Sequence, residues 1–128
     1  MSLNDDIALL ARQPLLGLMD RDALRLVAFA AETRSLRAGD VLFRRGAGSD
    51  GAFLVISGAV ALKREDDGRP ADEVVGPGAL LGELALFTAL ERPVTAIARE
   101  PTQVMRLARS VMRRVLGESP DSAQAIAA

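Results

Sequence analysis

Hydrophobic positions change their spacing at Thr33, and that change divides the chain. Before it, apolar residues recur every three or four positions. Ile7, Leu9 and Leu10 follow Asp5-Asp6, and Ala23, Leu24, Val27, Ala28 and Ala31 follow Asp20. This spacing is the stripe of an amphipathic helix lying on a core. Acids suit the first turn of a helix, so Asp5-Asp6 marks one start, with Pro14 beyond its end. Asp20 is placed to cap a second helix over Arg21–Ala31. After Thr33, short apolar runs alternate with glycine-containing turns: Val41–Arg44, Ala52–Ile56, Ala59–Arg64, Ala71–Val75, Val94–Arg99 and Gln103–Ala108. Runs of this length, broken by turns every ~8–12 residues, predict the antiparallel strands of a small sandwich or barrel.

The turns carry their own chemistry. Asp66-Asp67-Gly68-Arg69 reads as a hairpin tip, because glycine reaches the positive φ that such turns need. Gly76-Pro77-Gly78 sets a sharp turn just before the apolar pair Leu80-Leu81. Past the last strand, Ser110 is positioned to cap a helix over Val111–Leu116, with Gly117 as its stop. Ser119-Pro120-Asp121 opens a final helix that runs into Ala128. The expectation is therefore a mainly β chain with flanking helices, read as a single domain over 1–128. N-terminal helices lie within 5–31, an antiparallel β-roll over 33–108 holds a short helix at 82–87, and C-terminal helices occupy 110–128.

Composition narrows the function classes. The chain has no histidine and no cysteine, so Ser-His, Cys-His and the usual zinc constellations cannot be assembled from it. Tyrosine and tryptophan are absent and phenylalanine occurs four times, too few for a base-stacking nucleic-acid platform. A formal net charge of −1 gives no global attraction to nucleic acid or an anionic membrane. No apolar run approaches the ~20 residues of a spanning helix. The acidic start Met1-Ser2-Leu3-Asn4-Asp5-Asp6 lacks the layout of a secretory signal, and with the missing cysteines it fits a cytoplasmic chain. No catalytic constellation, metal site or cofactor is expected. The arginines near the C-terminal helix, Arg106, Arg109, Arg113 and Arg114, are explained by charge pairing at helix ends.

The chemistry concentrates in Leu80-Leu81-Gly82-Glu83-Leu84-Ala85-Leu86-Phe87, with Arg92 beyond it. Glycine lets the backbone turn closely, and the first amides of a short helix lack intrahelical partners, so they can hold an anion. An arginine fork would complete that site, and Glu83 could accept hydrogen bonds from sugar hydroxyls. The same residues also fit a capped surface turn beside a solvated arginine. Leu80, Leu81, Leu84, Leu86 and Phe87 are expected in the core, some of them also walling a pocket.

Three blocks in order resemble the cyclic nucleotide-binding domain family, whose bacterial members include the sensor domains of Crp/Fnr-type transcription regulators. The blocks are Arg37-Ala38-Gly39-Asp40-Val41-Leu42-Phe43-Arg44-Arg45-Gly46, Asp50-Gly51-Ala52-Phe53-Leu54-Val55-Ile56-Ser57-Gly58-Ala59-Val60, and Gly76-Pro77-Gly78-Ala79-Leu80-Leu81-Gly82-Glu83-Leu84-Ala85-Leu86, followed by Arg92. The resemblance implies a double-stranded β-helix, or jelly-roll, with a short phosphate-binding helix. It implies that Gly82 and the amides after it, Leu84 and Ala85 included, face a ligand phosphate. Glu83 would then accept from the ribose 2′-OH and Arg92 would pair with the cyclic phosphate.

The family pattern is broken at Arg92-Pro93-Val94-Thr95-Ala96, where a small hydroxyl residue and alanine usually follow the arginine. Pro93 has neither hydroxyl nor N–H, and Thr95 supplies a hydroxyl only with a shifted register. Ser49 stands where the family has a glycine before the loop aspartate. The implied function is a cyclic-nucleotide sensor, with cAMP the leading ligand and cGMP the other. It would signal through its C-terminal helix, as a homodimer joined there, within a Crp/Fnr-type regulator. No nucleic-acid-binding element and no membrane contact are expected within these residues. The alternative is a roll of the same fold that has lost nucleotide binding and serves protein interaction.

Overall fold

The computed structural model describes residues 2–127. Ser2 starts α1 (Leu3–Ala11) with a reciprocal cap. Its hydroxyl accepts from the Asp5 N–H while the Asp5 carboxylate accepts from the Ser2 N–H, which satisfies two of the donors a helix start leaves free. A 3-10 turn, Leu16–Leu18, leads to Asp20, which caps α2 (Arg21–Ala30) through the Ala23 N–H at 2.8 Å.

Eight strands follow. They are β1 (Glu32–Leu36), β2 (Val41–Phe43), β3 (Gly51–Ser57), β4 (Val60–Lys63), β5 (Glu73–Val75), β6 (Leu80–Leu81), β7 (Thr95–Ala98) and β8 (Thr102–Ala108). All pair antiparallel, in two four-stranded sheets ordered β1-β8-β3-β6 and β2-β7-β4-β5. The architecture is the expected mainly β roll with flanking helices, and Gly68, at φ 74°, turns the β4–β5 hairpin.

Two strands lie outside the hydrophobic pattern. β1 is Glu-Thr-Arg-Ser-Leu, exposed up to Leu36, and it sits at a sheet edge against β8. An edge strand with a wet face has no apolar alternation to read. β6 is only the Leu80-Leu81 pair, held against Leu54 and Phe53.

Side chains of β3 divide between two apolar compartments. Phe53 and Val55 point into the roll with Val60, Leu62, Leu81, Ala96 and Val104. Ala52 and Leu54 face the other way, with Met105 and Leu107 of β8, onto the helices through Ile7, Leu10, Leu24, Val27 and Met112. Both faces of β3 are therefore dry, which is why its sequence reads as an unbroken apolar run.

The C-terminal helices differ from expectation in their bounds. α3 (Arg109–Glu118) begins at Arg109, Ala108 precedes it with no side-chain cap, and Gly117 lies inside the helix. A tertiary bond replaces the expected Ser110 cap, since the Arg109 N–H donates to the Asp50 carbonyl at 2.7 Å. α4 (Pro120–Ala127) starts at the predicted proline, and Ala128 lies outside the described residues. Ser122 of α4 is buried and receives the Asp20 N–H at 3.0 Å, while Ser119 and Ser122 donate to the Asp20 carboxylate at 2.9 and 3.1 Å. One aspartate thus caps α2 and fastens α4 to it. Among the described residues no helix is long and apolar enough to cross a membrane.

Candidate anion-binding cleft

The turn from β6 into the roll's interior connection is made by Gly82, at φ 83° and ψ 40°, a left-handed conformation that glycine adopts without a Cβ penalty. A 3-10 helix, Glu83–Leu86, follows at once, and the Ala85 N–H closes onto the Gly82 carbonyl at 2.9 Å. Ala85 and Leu86 are buried, whereas Leu84, expected in the core, stands 61% exposed. It forms instead one wall of a cleft of about 260 Å³, shared with Gly82, Glu83, Ala85, Arg92 and Pro93. Ser49, Leu90 and Glu91 complete its lining.

The structure therefore brings Gly82, Glu83, Leu84, Ala85 and Arg92 together. Thr95 is not among them. It lies on β7 opposite Lys63, its hydroxyl accepts the Arg45 N–H at 3.0 Å, and it borders a separate crevice of about 90 Å³. The shifted register that would carry its hydroxyl to the cleft does not occur.

Arg92 is the chemical centre of the cleft. It is 5% exposed, its guanidinium carbon lies 4.4 Å from the ring centre of Phe43 and 5.7 Å from that of Phe53, and Nη2 donates to the Gly51 carbonyl at 2.8 Å. Among the described residues, the ion pairs within 4.0 Å are Arg69 with Asp67 and Arg106 with Asp50, so Arg92 has no carboxylate partner. Burial pushes its proton affinity below the usual arginine range; Asp50 opposes that shift and Arg109 adds to it. A buried cation without a counter-charge is costly, and aromatic faces offset only part of the cost. An anion in the cleft would offset more.

Glu83 lines the cleft and also serves the helical layer. Its Oε2 accepts from the Leu15 N–H at 3.2 Å and the Leu16 N–H at 3.4 Å, capping the 3-10 turn between α1 and α2. Ala85 is likewise committed on both sides, with its N–H closing the turn and its carbonyl accepting from Arg109 Nε at 2.8 Å.

Arg109 is not the helix-end charge that the sequence suggests. Helix-end pairing does not explain it, because it is the first residue of α3, where the helix dipole disfavours a cation, and the last turn of α3 holds no basic residue. Its Nη2 donates to the Ser49 carbonyl and, at 3.4 Å, to the Ser49 hydroxyl. Arg106, also read as a helix-end charge, pairs with Asp50 at 2.5 Å from β8. No local pattern marks either residue, since their partners Asp50, Ser49 and Ala85 stand 56, 60 and 24 positions away in the chain.

The cyclic nucleotide-binding domain model matches residues 33–119. Among solved structures, the chain is similar to a cyclic nucleotide-binding-like protein from Brucella abortus, with 42% identity, a TM-score of 0.82, and coverage of 88% of this chain and 98% of that one. It is also similar to the N-terminal domain of a transcriptional regulator from Streptomyces coelicolor, at 30% identity and a TM-score of 0.82 over 93% of this chain and 85% of that one. A cAMP-dependent protein kinase regulatory subunit from Yarrowia lipolytica is 31% identical over 80% of this chain and 26% of its own length. A lysophospholipase nte1 from Aspergillus fumigatus is 32% identical over 73% of this chain. The chain spans about 6% of the length of that lysophospholipase and its fungal counterparts. The chain belongs to the cyclic nucleotide-binding domain family.

Proposed function

We propose that this chain is a regulatory, non-catalytic module that binds a cyclic nucleotide in the Arg92 cleft, with cAMP the first ligand to test and cGMP the second. The observation that carries this reading is Arg92 itself, a residue 5% exposed that lines the cleft and has no carboxylate partner among the described residues. A cyclic phosphate brings one negative charge with oxygens that accept from such a fork. Glu83 lies on the same wall, with the ribose 2′-OH as its assigned donor, and the exposed Leu84 and Leu90 offer apolar surface to the rest of the ligand. We assign the module to a cytoplasmic Crp/Fnr-type regulator, with occupancy passed to α3 and α4 and a homodimer formed through them.

A second reading rests on Pro93 and Glu83. Pro93 borders the cleft without an N–H to give, and Oε2 of Glu83 already holds two backbone donors. On that reading the roll is an interaction module without a nucleotide.

Calorimetric titration with cAMP and cGMP separates the two. Saturable heat with the parent chain, abolished by Arg92→Ala, is the expected result. No heat and no thermal shift at millimolar nucleotide would overturn the nucleotide reading in favour of the second.

A further inference from the structure

Three chain segments meet at Arg109. Its Nε donates to the Ala85 carbonyl of the 3-10 helix at 2.8 Å, its Nη2 donates to the Ser49 carbonyl, and its own N–H donates to the Asp50 carbonyl at 2.7 Å. The Ser49–Gly51 segment that it grips also receives Arg92, whose Nη2 donates to the Gly51 carbonyl. Ser49 binds in turn to Leu90, through its N–H at 3.0 Å and its hydroxyl at 2.6 Å. Both arginines therefore hold one short stretch of backbone, Arg92 from the cleft and Arg109 from the start of α3.

Beyond Arg109, the 3-10 helix and α3 also meet through apolar side chains. A crevice of about 150 Å³ is lined by Leu86, Phe87, Arg109, Met112 and Leu116, beside the apolar cluster in which Leu86 and Met112 are buried together. Where two elements are close-packed, displacing one forces the other. Beside that apolar contact, the bonds of Arg109 to the Ala85 and Ser49 carbonyls add a polar connection between α3 and the cleft. α3 also lacks a side-chain cap, and the Arg109 N–H at its start is satisfied by the Asp50 carbonyl.

We propose that Arg109 is a positioning residue that couples occupancy of the Arg92 cleft to the placement of α3. This inference rests on the anion-binding reading given above and names the contact through which the bound state reaches the C-terminal helices. An anion drawing on Arg92 shifts the Ser49–Gly51 backbone and the Ala85 turn. Arg109, bonded to both, carries that shift to the first turn of α3. Coupling is reciprocal, so an altered Arg109 changes anion affinity as well as helix order.

Hydrogen–deuterium exchange on the 128-residue chain, with and without cAMP, tests this in Arg109→Gln and Arg109→Lys. In the parent chain, cAMP should slow exchange in 83–87 and change it in 109–118. In Arg109→Gln, calorimetry should still show binding within about tenfold of the parent, with 83–87 still protected and 109–118 no longer responding. Lysine keeps the charge but cannot reach two carbonyls from one planar fork, so Arg109→Lys should behave like the glutamine variant. A parent-like response of 109–118 in either variant overturns the proposal, and where Arg109→Gln fails to fold by circular dichroism, Arg109→Lys decides. A ligand-free comparison keeps the two proposals apart. Without nucleotide, loss of Arg109 should speed exchange in 46–51, 83–87 and 109–118 together, even if the parent chain binds no cAMP. Faster exchange confined to 109–118 overturns the coupling.

Discussion

A Cβ atom on residue 82 would lie 2.5 Å from Nη1 of Arg92. Gly82 is therefore required twice, once for its left-handed backbone and once for the space the guanidinium occupies. Gly82→Ala should lose about 1–2 kcal/mol from backbone conformation alone, and more from displacing Arg92. The expected result is a lower urea midpoint together with loss of cAMP binding. Unchanged stability would mean that Arg92 does not occupy this position in solution.

Pro93 offers a test in the opposite direction. Pro93→Ser returns an N–H and a hydroxyl to the cleft edge. One added charge-assisted hydrogen bond is worth roughly 1.5–3 kcal/mol, so cAMP should bind about tenfold to a hundredfold more tightly. Calorimetric comparison of the two chains checks this, and equal affinities would place position 93 away from the phosphate.

Glu83 links the cleft to the N-terminal helices through Leu15 and Leu16. Glu83→Ala should cost about 1–3 kcal/mol of stability, because two buried-side N–H donors lose a charged acceptor. Glu83→Gln retains an amide oxygen and should cost less. Urea unfolding without nucleotide measures both, and an alanine variant as stable as the parent would remove the capping role.

Asp20 predicts a pH dependence. Its carboxyl lies below the ordinary value of 3.8, because the Ala23 N–H and then the Ser119 and Ser122 hydroxyls favour the charged form, with burial opposing them. A depressed folded-state value means that this contribution is fully present above pH 3.8 and is lost as pH falls through the folded value. Thermal melts taken from about pH 6 to about pH 2 should show a steeper acid decline in the parent than in Asp20→Asn, which keeps an N-cap oxygen without the charge. Parallel declines would sink this assignment.

These cases show where the amino-acid order is legible. Asp20 as a cap, Gly68 as a hairpin tip and Gly82 as a close turn follow from local chemistry, and each stands where its spacing predicts. β1 did not show itself, because Glu32, Thr33, Arg34 and Ser35 are all exposed and leave no alternation. The cleft was legible where its residues are neighbours in the chain, from Gly82 to Ala85 with Arg92 close behind. Ser49 joins it through long-range bonds to Leu90, and Arg109 reaches Ser49 because the pairing of β3 with β8 brings Gly51 opposite Ala108. Thr95 shows the converse limit: a hydroxyl three positions from Arg92 is turned elsewhere by the pleat of β7.

The two-sided burial of β3 has a consequence for cooperativity. Leu54 and Phe53 are adjacent in the chain yet belong to different compartments, so neither compartment can melt while the other keeps an intact wall. The helical layer and the roll should therefore unfold in one transition. Within the folded state, α3 packs Met112 and Val115 into the same apolar layer as Leu54 of β3 and Met105 of β8. A displacement of α3 that leaves the fold intact is one small enough to keep Leu54, Met105 and Met112 dry.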